Sequence, residues 1–159
     1  MSHIDKFVFY PMQVCDDTQI KINGKGWDNE KAVDWILDKY TKDNCRLVIK
    51  PHPAERNVDY LKSFRDKYRC VADFSMDNTK DLLRCADLVV TINSTVGLES
   101  LILGKKPKVL GKSLFADFDQ ARTSKYILEY LIDDVDYFGT DDVHVNVVER
   151  IICKGNCEK

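Results

Sequence analysis

The chain has 159 residues, of which 44% are hydrophobic and 31% charged, and its formal net charge is −2 at pH 7. This length suits one domain with a single core, predicted to cover residues 1–159, and the slightly acidic balance argues against a nucleic-acid partner. No apolar run approaches the roughly 20 residues of a membrane span, and the apolar patch near the N-terminus is too short for a secretory signal, so we expect a cytoplasmic protein, either free or peripheral at the inner face of a membrane.

Strand and helix patterns alternate from the N-terminus. Apolar runs bounded by proline or polar residues predict strands, and amphipathic spacing after a capping residue predicts helices. In chain order the first half contains a strand at 6–10, a polar glycine-containing loop at 13–27, a helix after Asp28, a strand at 46–50 and a helix at 57–68. The second half contains strands at 70–74, 87–92 and 108–110, with helices at 77–85, 95–103 (ended by Gly104), 122–132 and 143–152.

Strands separated by helices of about ten residues imply right-handed βαβ units and a parallel sheet. The predicted fold class is therefore α/β, a three-layer Rossmann-like domain with a mostly parallel sheet of about five strands. In such sheets ligands bind beyond the carboxyl ends of the strands. That rule directs attention to the loops at 13–18, 51–56 and 93–97.

The turn Asn93-Ser94-Thr95 follows the most strand-like segment and opens a helix that contains Gly97 and Glu99. Unpaired N–H groups and the dipole at a helix start favour an anion, and the two hydroxyl groups can donate to a phosphate. Glu99, one turn further on, could reach a ribose hydroxyl. Since Ser, Thr and Asn are also the preferred N-cap residues, plain capping beside an exposed carboxylate is the alternative.

His52 lies between two prolines directly after the second predicted strand, close to Lys50. A histidine held there is poorly explained as core filling. It can donate a hydrogen bond to phosphate, or protonate a leaving group near neutral pH. Together with the serine-threonine turn at a neighbouring strand end, it indicates a phosphate site.

The loop after the first strand carries Gln13, Asp16, Asp17 and Thr18. Adjacent carboxylates at this position would face the same cleft, and one of them could act as a nucleophile or base toward an anomeric carbon. The alternative is a turn in which aspartate and threonine side chains bond their own backbone.

The segments F-Y-P-M-Q-V-C-D-D-T-Q-I, K-P-H-P and V-V-T-I-N-S-T-V-G-L-E-S-L-I-L-G-K-K-P-K-V-L-G together resemble the capsule polysaccharide biosynthesis family, over about residues 7–118. Members of that family include bacterial retaining transferases of 3-deoxy-manno-octulosonic acid (Kdo), whose donor is the cytidine monophosphate (CMP) sugar. The resemblance implies one half of a two-domain GT-B-like enzyme, with His52, Ser94 and Thr95 on the donor phosphate and Asp17 as the nucleophile. The family often has Gly-Asp-Ser where this chain has Asp16-Asp17-Thr18.

The residues and the resemblance together define the predicted site. Asp17 and His52 are the catalytic residues. The predicted substrate contacts are Gln13, Asp16, Lys50, Asn93, Ser94, Thr95, Gly97 and Glu99.

The resemblance also implies partners: a CMP-sugar donor, a polysaccharide or glycolipid acceptor, and a second Rossmann-like domain or partner chain that supplies the acceptor site. No cofactor is expected, and no metal is needed if these donors neutralise the phosphate. Two other functions stay open. One is a non-catalytic nucleotide-binding or assembly module, and the other is a glycerophosphate transferase domain that uses a cytidine diphosphate glycerol donor.

Two further features suggest metal ligands. Asp134-Val-Asp136 has the Asp-x-Asp form that holds a metal in another glycosyltransferase fold, but the acidic stretch around it is more typical of a solvated surface. Cys153 and Cys157 match no zinc spacing and have no second pair. We therefore predict no metal site.

Overall fold

The structure is a computed structural model that describes residues 6–40, 45–131 and 145–149. The chain divides into two compact units, Met1–Gln120 and Ala121–Lys159. Because the second unit is described only in part, the single domain over 1–159 stays a prediction.

The first unit contains a parallel five-stranded sheet with helices between the strands. Neighbouring strands follow the order β3-β2-β1-β4-β5, and every described pairing is parallel. This confirms the α/β class and the five-stranded parallel sheet. The elements are β1 (Phe7–Pro11), α1 (Thr18–Asn23), α2 (Asn29–Tyr40), β2 (Arg46–Lys50), α3 (Val58–Tyr68), β3 (Asp73–Phe74), α4 (Thr79–Cys85), β4 (Leu88–Thr91), α5 (Val96–Ile102) and β5 (Lys108–Val109).

The sheet is covered on both faces, which gives the predicted three layers. Successive strand residues point to opposite sides, so Val8 and Tyr10 of β1 belong to one buried cluster and Phe9 belongs to the other. The first cluster includes residues of α2 and α3, namely Ala32, Val33, Ile36, Phe64 and Tyr68. The second includes Leu82 and Leu83 of α4.

Side-chain caps fix where several helices begin. The carboxylate of Asp28 accepts a hydrogen bond from the Lys31 backbone N–H (2.8 Å) at the start of α2. Asn57 does the same for α3 (2.9 Å to the Tyr60 nitrogen) and Asn78 for α4 (2.9 Å to the Lys80 nitrogen). Each bond satisfies an N–H group that the helix itself leaves unpaired.

Three predicted elements differ from the observed ones. The loop at 13–27 contains the short helix α1, in which only Ile20 is buried, so its apolar periodicity is too weak to identify. The predicted strand at 70–74 is a strand only at Asp73–Phe74, because the chain turns at 69–71 before it. The predicted helix at 122–132 begins earlier, as α6 (Gln120–Lys125), and continues as one π-helical turn, Tyr126–Tyr130.

The C-terminal predictions fall mostly on residues that the structure does not describe. Of the helix predicted at 143–152, residues 145–149 are helical. Asp134, Asp136, Cys153 and Cys157 lie outside the described residues. Within the described ranges, no helix combines the length and the apolar character that crossing a membrane requires.

The packing of α2 against the sheet yields a stability prediction. Ile36 is fully buried, whereas Ile22 on α1 is 70% exposed. Ile36→Ala should lower the free energy of unfolding by about 2–5 kcal/mol, because it removes buried methyl groups and leaves a cavity. The matched Ile22→Ala should change it by less than about 0.5 kcal/mol.

Urea denaturation followed by tryptophan fluorescence measures both variants, since Trp27 and Trp35 pack against the same core cluster. Equal losses in the two variants would contradict the burial of this helix face.

Candidate functional site

Three loops meet at the carboxyl edge of the sheet. β1 lies between β2 and β4, so the loops that follow these three strands are neighbours. Pro11 pairs with Lys50 at the ends of β1 and β2, and the Met12 N–H donates to the Lys50 carbonyl (2.9 Å). The loops that follow β1 and β2 are thus joined at their first residues.

A cleft of about 410 Å³ opens at this edge. It contains five of the predicted site residues, Lys50, His52, Ser94, Thr95 and Glu99. The other lining residues are Pro11, Met12, Pro51, Pro53, Asn78, Thr79, Lys80 and Val96. The two strongest sequence signals, K-P-H-P and the N-S-T turn, therefore face one common space.

His52 is partly buried and its ring is oriented by its own loop. Nδ1 accepts a hydrogen bond from the Ala54 backbone N–H (3.1 Å). A neutral imidazole that accepts at Nδ1 carries its proton on Nε2. Since Nε2 has no partner among the described residues, it can donate to a ligand in the cleft.

Ser94 and Thr95 play different parts at the start of α5. The Ser94 hydroxyl oxygen accepts from the Val96 N–H (3.3 Å), and the Ser94 N–H donates to the Thr91 hydroxyl oxygen (3.0 Å). Thr95 makes no side-chain capping bond and is exposed. The Ser94 oxygen therefore acts as a cap, while the O–H groups of Ser94 and Thr95 can donate to a ligand, and both predicted substrate contacts stay predictions.

Gln13 and Asn93 hold two of the loops together, and neither lines the cleft. The Gln13 side-chain amide donates to Asn93 Oδ1 (2.8 Å), and its oxygen accepts from the Asn93 backbone N–H (3.1 Å). Asn93 Nδ2 also donates to the Gln19 carbonyl (3.0 Å). This reciprocal amide pair, in which Gln13 is only 5% exposed, fixes the β1 loop against the β4 loop.

Asn29 is a positioning residue that the sequence did not reveal. Its Oδ1 accepts from the Tyr10 hydroxyl (2.9 Å) and from the Gln13 N–H (3.1 Å). Its Nδ2 donates to the Gln13 carbonyl (2.8 Å) and to the Tyr60 hydroxyl (3.1 Å). In the sequence it is an ordinary polar residue in a first helical turn, so no local signal could have identified it.

The two aspartates do not line the cleft. Asp17 Oδ1 caps α1 by accepting from the Gln19 N–H (2.7 Å). Asp16 is exposed and forms an ion pair with Lys21 (3.3 Å). The observed arrangement is the turn that was the alternative for this loop, and the catalytic role of Asp17 stays a prediction.

Gly97 also lies away from the cleft lining. It is buried, and a Cβ at this position would lie 2.6 Å from Phe115 Cε2 and 3.1 Å from Thr91 Cγ2. A side chain cannot fit there, so glycine permits close packing beneath the N-S-T turn.

One wall of the cleft was not predicted from the sequence. Asn78, Thr79 and Lys80 come from the loop after β3 and the start of α4. The rule that ligands bind at strand carboxyl ends applies equally to β3, and would have pointed to them. Because the apolar run of this strand is short, the loop after it was not among the loops predicted to bind a ligand.

Glu55 ties the first two loops together through backbone groups. Its Oε2 accepts from the Cys15 N–H (2.7 Å) and its Oε1 from the Asn57 N–H (2.9 Å). Burial alone would raise the pKa of the Glu55 carboxyl, but these hydrogen bonds outweigh it and hold the pKa below the ordinary value of 4.5.

Among the residues that the structure describes, no group of three or more His, Cys, Asp or Glu side chains is arranged to hold a metal ion. What the cleft offers is a set of hydrogen-bond donors and lysine ammonium groups, which suits an anion.

The fold and the site define a class: a Rossmann-like α/β domain with a ligand cleft at the carboxyl edge of its parallel sheet. Residues 1–118 match the family described as capsule polysaccharide biosynthesis protein. The chain belongs to that family, and the match ends close to the end of the first unit, at Gln120.

Similar proteins are considerably longer than this chain. Protein FixF of Sinorhizobium fredii is 33% identical over 120 residues, which cover 69% of this chain and 27% of that protein. The capsule polysaccharide export protein KpsS of Escherichia coli is 30% identical over 129 residues, covering 72% of this chain and 32% of KpsS. The chain therefore spans about a third of the length of these relatives.

Solved structures show the same fold. KpsC of Thermosulfurimonas dismutans, a beta Kdo 2,7 transferase, superimposes with a TM-score of 0.58 at 25% identity, over 70% of this chain and 36% of that one. A beta Kdo 2,4 transferase structure of KpsC from the same organism has a TM-score of 0.59 at 20% identity. The superposition covers 77% of this chain and 39% of that one, and it supports the fold alone.

The lowered pKa of Glu55 gives a pH prediction. A carboxyl whose folded pKa is lowered stabilises the fold above its ordinary pKa, and this stabilisation is lost as the pH falls through the folded value. Glu55→Gln should be less stable than the wild type near neutral pH by about 1 kcal/mol or less, because the bridge is accessible to water. The difference should vanish once the pH lies below the folded pKa of the Glu55 carboxyl, which is lower than 4.5.

Thermal unfolding across this pH range checks the prediction, with Asp66→Asn on α3 as the matched charge-removing control. A stability difference that is independent of pH would contradict the role given to the Glu55 carboxylate.

Proposed function

We propose that the first unit is the donor-phosphate half of a glycosyltransferase in capsule or surface polysaccharide synthesis, and that its donor is a CMP-activated, Kdo-like sugar. The observation that carries the proposal is the single cleft that brings His52 together with the Ser94-Thr95 turn. Family membership and the likeness to a KpsC Kdo transferase at 25% identity support it.

The charges of the cleft suit an anionic donor. Lys50 and Lys80 line it, and Glu99 is the carboxylate among its lining residues. Two ammonium groups against one carboxylate give a local positive charge in a chain whose formal charge is −2. Such a cleft attracts a phosphate even though the whole molecule does not.

The proposed chemistry follows from where charge grows. When the bond between the anomeric carbon and the phosphate oxygen breaks, negative charge develops on the departing CMP. The His52 Nε2–H and the Thr95 hydroxyl would donate hydrogen bonds to that charge, which stabilises the transition state more than the ground state. In this scheme the phosphate is neutralised by protein groups, without a metal.

Retention would require two displacements at the anomeric carbon. In the first, the Asp17 carboxylate forms a bond to that carbon and CMP leaves. In the second, an acceptor hydroxyl of a polysaccharide or glycolipid replaces Asp17, losing its proton to a base. A second Rossmann-like domain, or a partner chain, would hold this acceptor and complete the GT-B-like enzyme.

A second function is favoured by one observation. Asp17 caps α1 and is not part of the cleft lining, so the cleft could bind a nucleotide without forming a covalent intermediate. A non-catalytic binding module is then the alternative. The relative KpsS, a capsule polysaccharide export protein, is compatible with this alternative.

The role of His52 is tested by calorimetric titration of the chain with CMP. A hydrogen bond to a charged group contributes about 1.5–3 kcal/mol, so His52→Ala should weaken binding by about 10- to 100-fold. His52→Asn should weaken it equally, because its oxygen can accept from Ala54 as Nδ1 does but it offers no donor at the Nε2 position. His52→Gln, which can place an amide N–H there, should retain more affinity than either.

Full affinity in His52→Asn would refute the proposed contact. Absence of CMP binding in the wild type would refute the CMP-donor proposal itself.

The role of Asp17 is tested by incubating the chain with the CMP-sugar and measuring its mass. The wild type should form a covalent sugar adduct and release CMP. Asp17→Asn should form no adduct while binding CMP within about threefold of the wild type, since the amide oxygen can still cap α1. Asp16→Asn is the matched control and should still form the adduct.

An adduct that persists in Asp17→Asn would show that another residue is the nucleophile. CMP binding by the wild type without any adduct would favour the non-catalytic module.

A further inference from the structure

Lys80 is a cation of the cleft that belongs to none of the motifs identified in the sequence. It lies at the second position of α4 and lines the same cleft as the Ser94-Thr95 turn. Its backbone N–H donates to Asn78 Oδ1 (2.9 Å). Within the described part of the chain, its ammonium group has no carboxylate partner.

Several other lysines of the first unit are engaged with protein groups. Lys21, Lys31 and Lys67 form ion pairs with Asp16, Asp28 and Glu30. Lys105 donates to the backbone carbonyls of Arg84 and Ala86. Lys80 thus differs from these lysines in bringing an uncompensated charge to a ligand cleft.

Lys50, the second cation of the cleft, is bonded to the protein backbone. Its ammonium group donates a hydrogen bond to the backbone carbonyl of Asp77, which links the end of β2 to the loop before α4. The same loop is closed by Ser75, whose hydroxyl donates to Asp77 Oδ2 (2.7 Å) and accepts from the Asp77 N–H (3.0 Å). These bonds fix the backbone from which Lys80 extends.

We propose that Lys80 is a specificity-determining residue that supplies the formal positive charge for the phosphate of the donor, and that Lys50 is the positioning residue that holds the Lys80 loop. This inference rests on the proposed function, in which the cleft takes a nucleotide phosphate. His52 and Thr95 contribute hydrogen bonds, whereas Lys80 contributes the charge that favours a phosphate over a neutral ligand.

The roles proposed for the two lysines predict different effects of salt on the affinity for CMP. An exposed ammonium group acts through space and is screened by salt, so its contribution to affinity must shrink as ionic strength rises. A positioning lysine acts through the geometry of a loop, so its loss should weaken binding at every salt concentration. Arginine can still donate to a carbonyl and should restore much of that geometry.

The test is titration of the full chain with CMP at low and at high salt. Lys80→Met keeps the apolar stem but removes the charge, and should weaken CMP binding by about threefold to tenfold at low salt. Its affinity should also depend less on salt than that of the wild type. Lys62→Met, on the exposed side of α3 and outside the cleft, is the matched control and should bind as the wild type does.

Lys50→Met should weaken CMP binding at both salt concentrations, and Lys50→Arg should recover most of the loss. A loss in Lys50→Met that persists at high salt identifies a positioning role, since a loss of charge alone would be screened. An unchanged melting temperature of that variant excludes a general loss of folding.

The outcomes separate the two proposals. A wild type that binds CMP, together with Lys80→Met of equal affinity or equal salt dependence, would overturn the inference on Lys80 and leave the proposed function standing. A Lys50→Met variant with unchanged affinity would overturn the positioning role. A wild type that binds no CMP at either salt concentration would overturn the proposed function and this inference with it.

Discussion

The arrangement of the cleft depends on the hydrogen bonds of the buried Asn29 side chain. It is 2% exposed and bonds both the N–H and the carbonyl of Gln13, where the chain leaves the sheet after β1. Two backbone groups that would otherwise be buried without partners are satisfied by one amide, and the Tyr10 hydroxyl donates to the same oxygen. Because unpaired buried polar groups cost about 1–3 kcal/mol each, only one path of the loop is favourable.

The other loops of the edge are fixed relative to this first one. Gln13 bonds Asn93 across the β1 and β4 loops, Glu55 bridges the β1 and β2 loops, and Lys50 links β2 to the loop before α4. Each of these residues bonds other groups of the protein. The groups that the described residues leave for a ligand include the Nε2–H of His52, the hydroxyl of Thr95 and the ammonium group of Lys80. A site built this way is preorganised, since its donors are held before a ligand arrives.

Local patterns predicted the fold and part of the site. The apolar runs gave the strands within one to three residues at each end, and the parallel sheet directed attention to the loops that contain His52, Ser94 and Thr95. The positioning contacts could not be predicted, because they join residues far apart in the chain: Gln13 and Asn93 are 80 positions apart, and Lys50 and Asp77 are 27 apart. A polar residue in a sequence does not show whether it bonds a ligand, a distant backbone group or both. The protein contacts of Gln13, Lys50 and Asn93 could therefore not be predicted, and their substrate contacts stay predictions.

The cleft is open to water, and this exposure weakens the interactions of its charged groups. Thr95 and Lys80 are exposed, and charges in contact with water interact weakly because the dielectric constant is high. Such a cleft can hold a phosphate, but transfer of a sugar to an acceptor also requires that water be excluded from the reacting carbon. The relatives are considerably longer than this chain. In the proposed enzyme, a second domain closing over this edge would exclude water and strengthen the donors already in place.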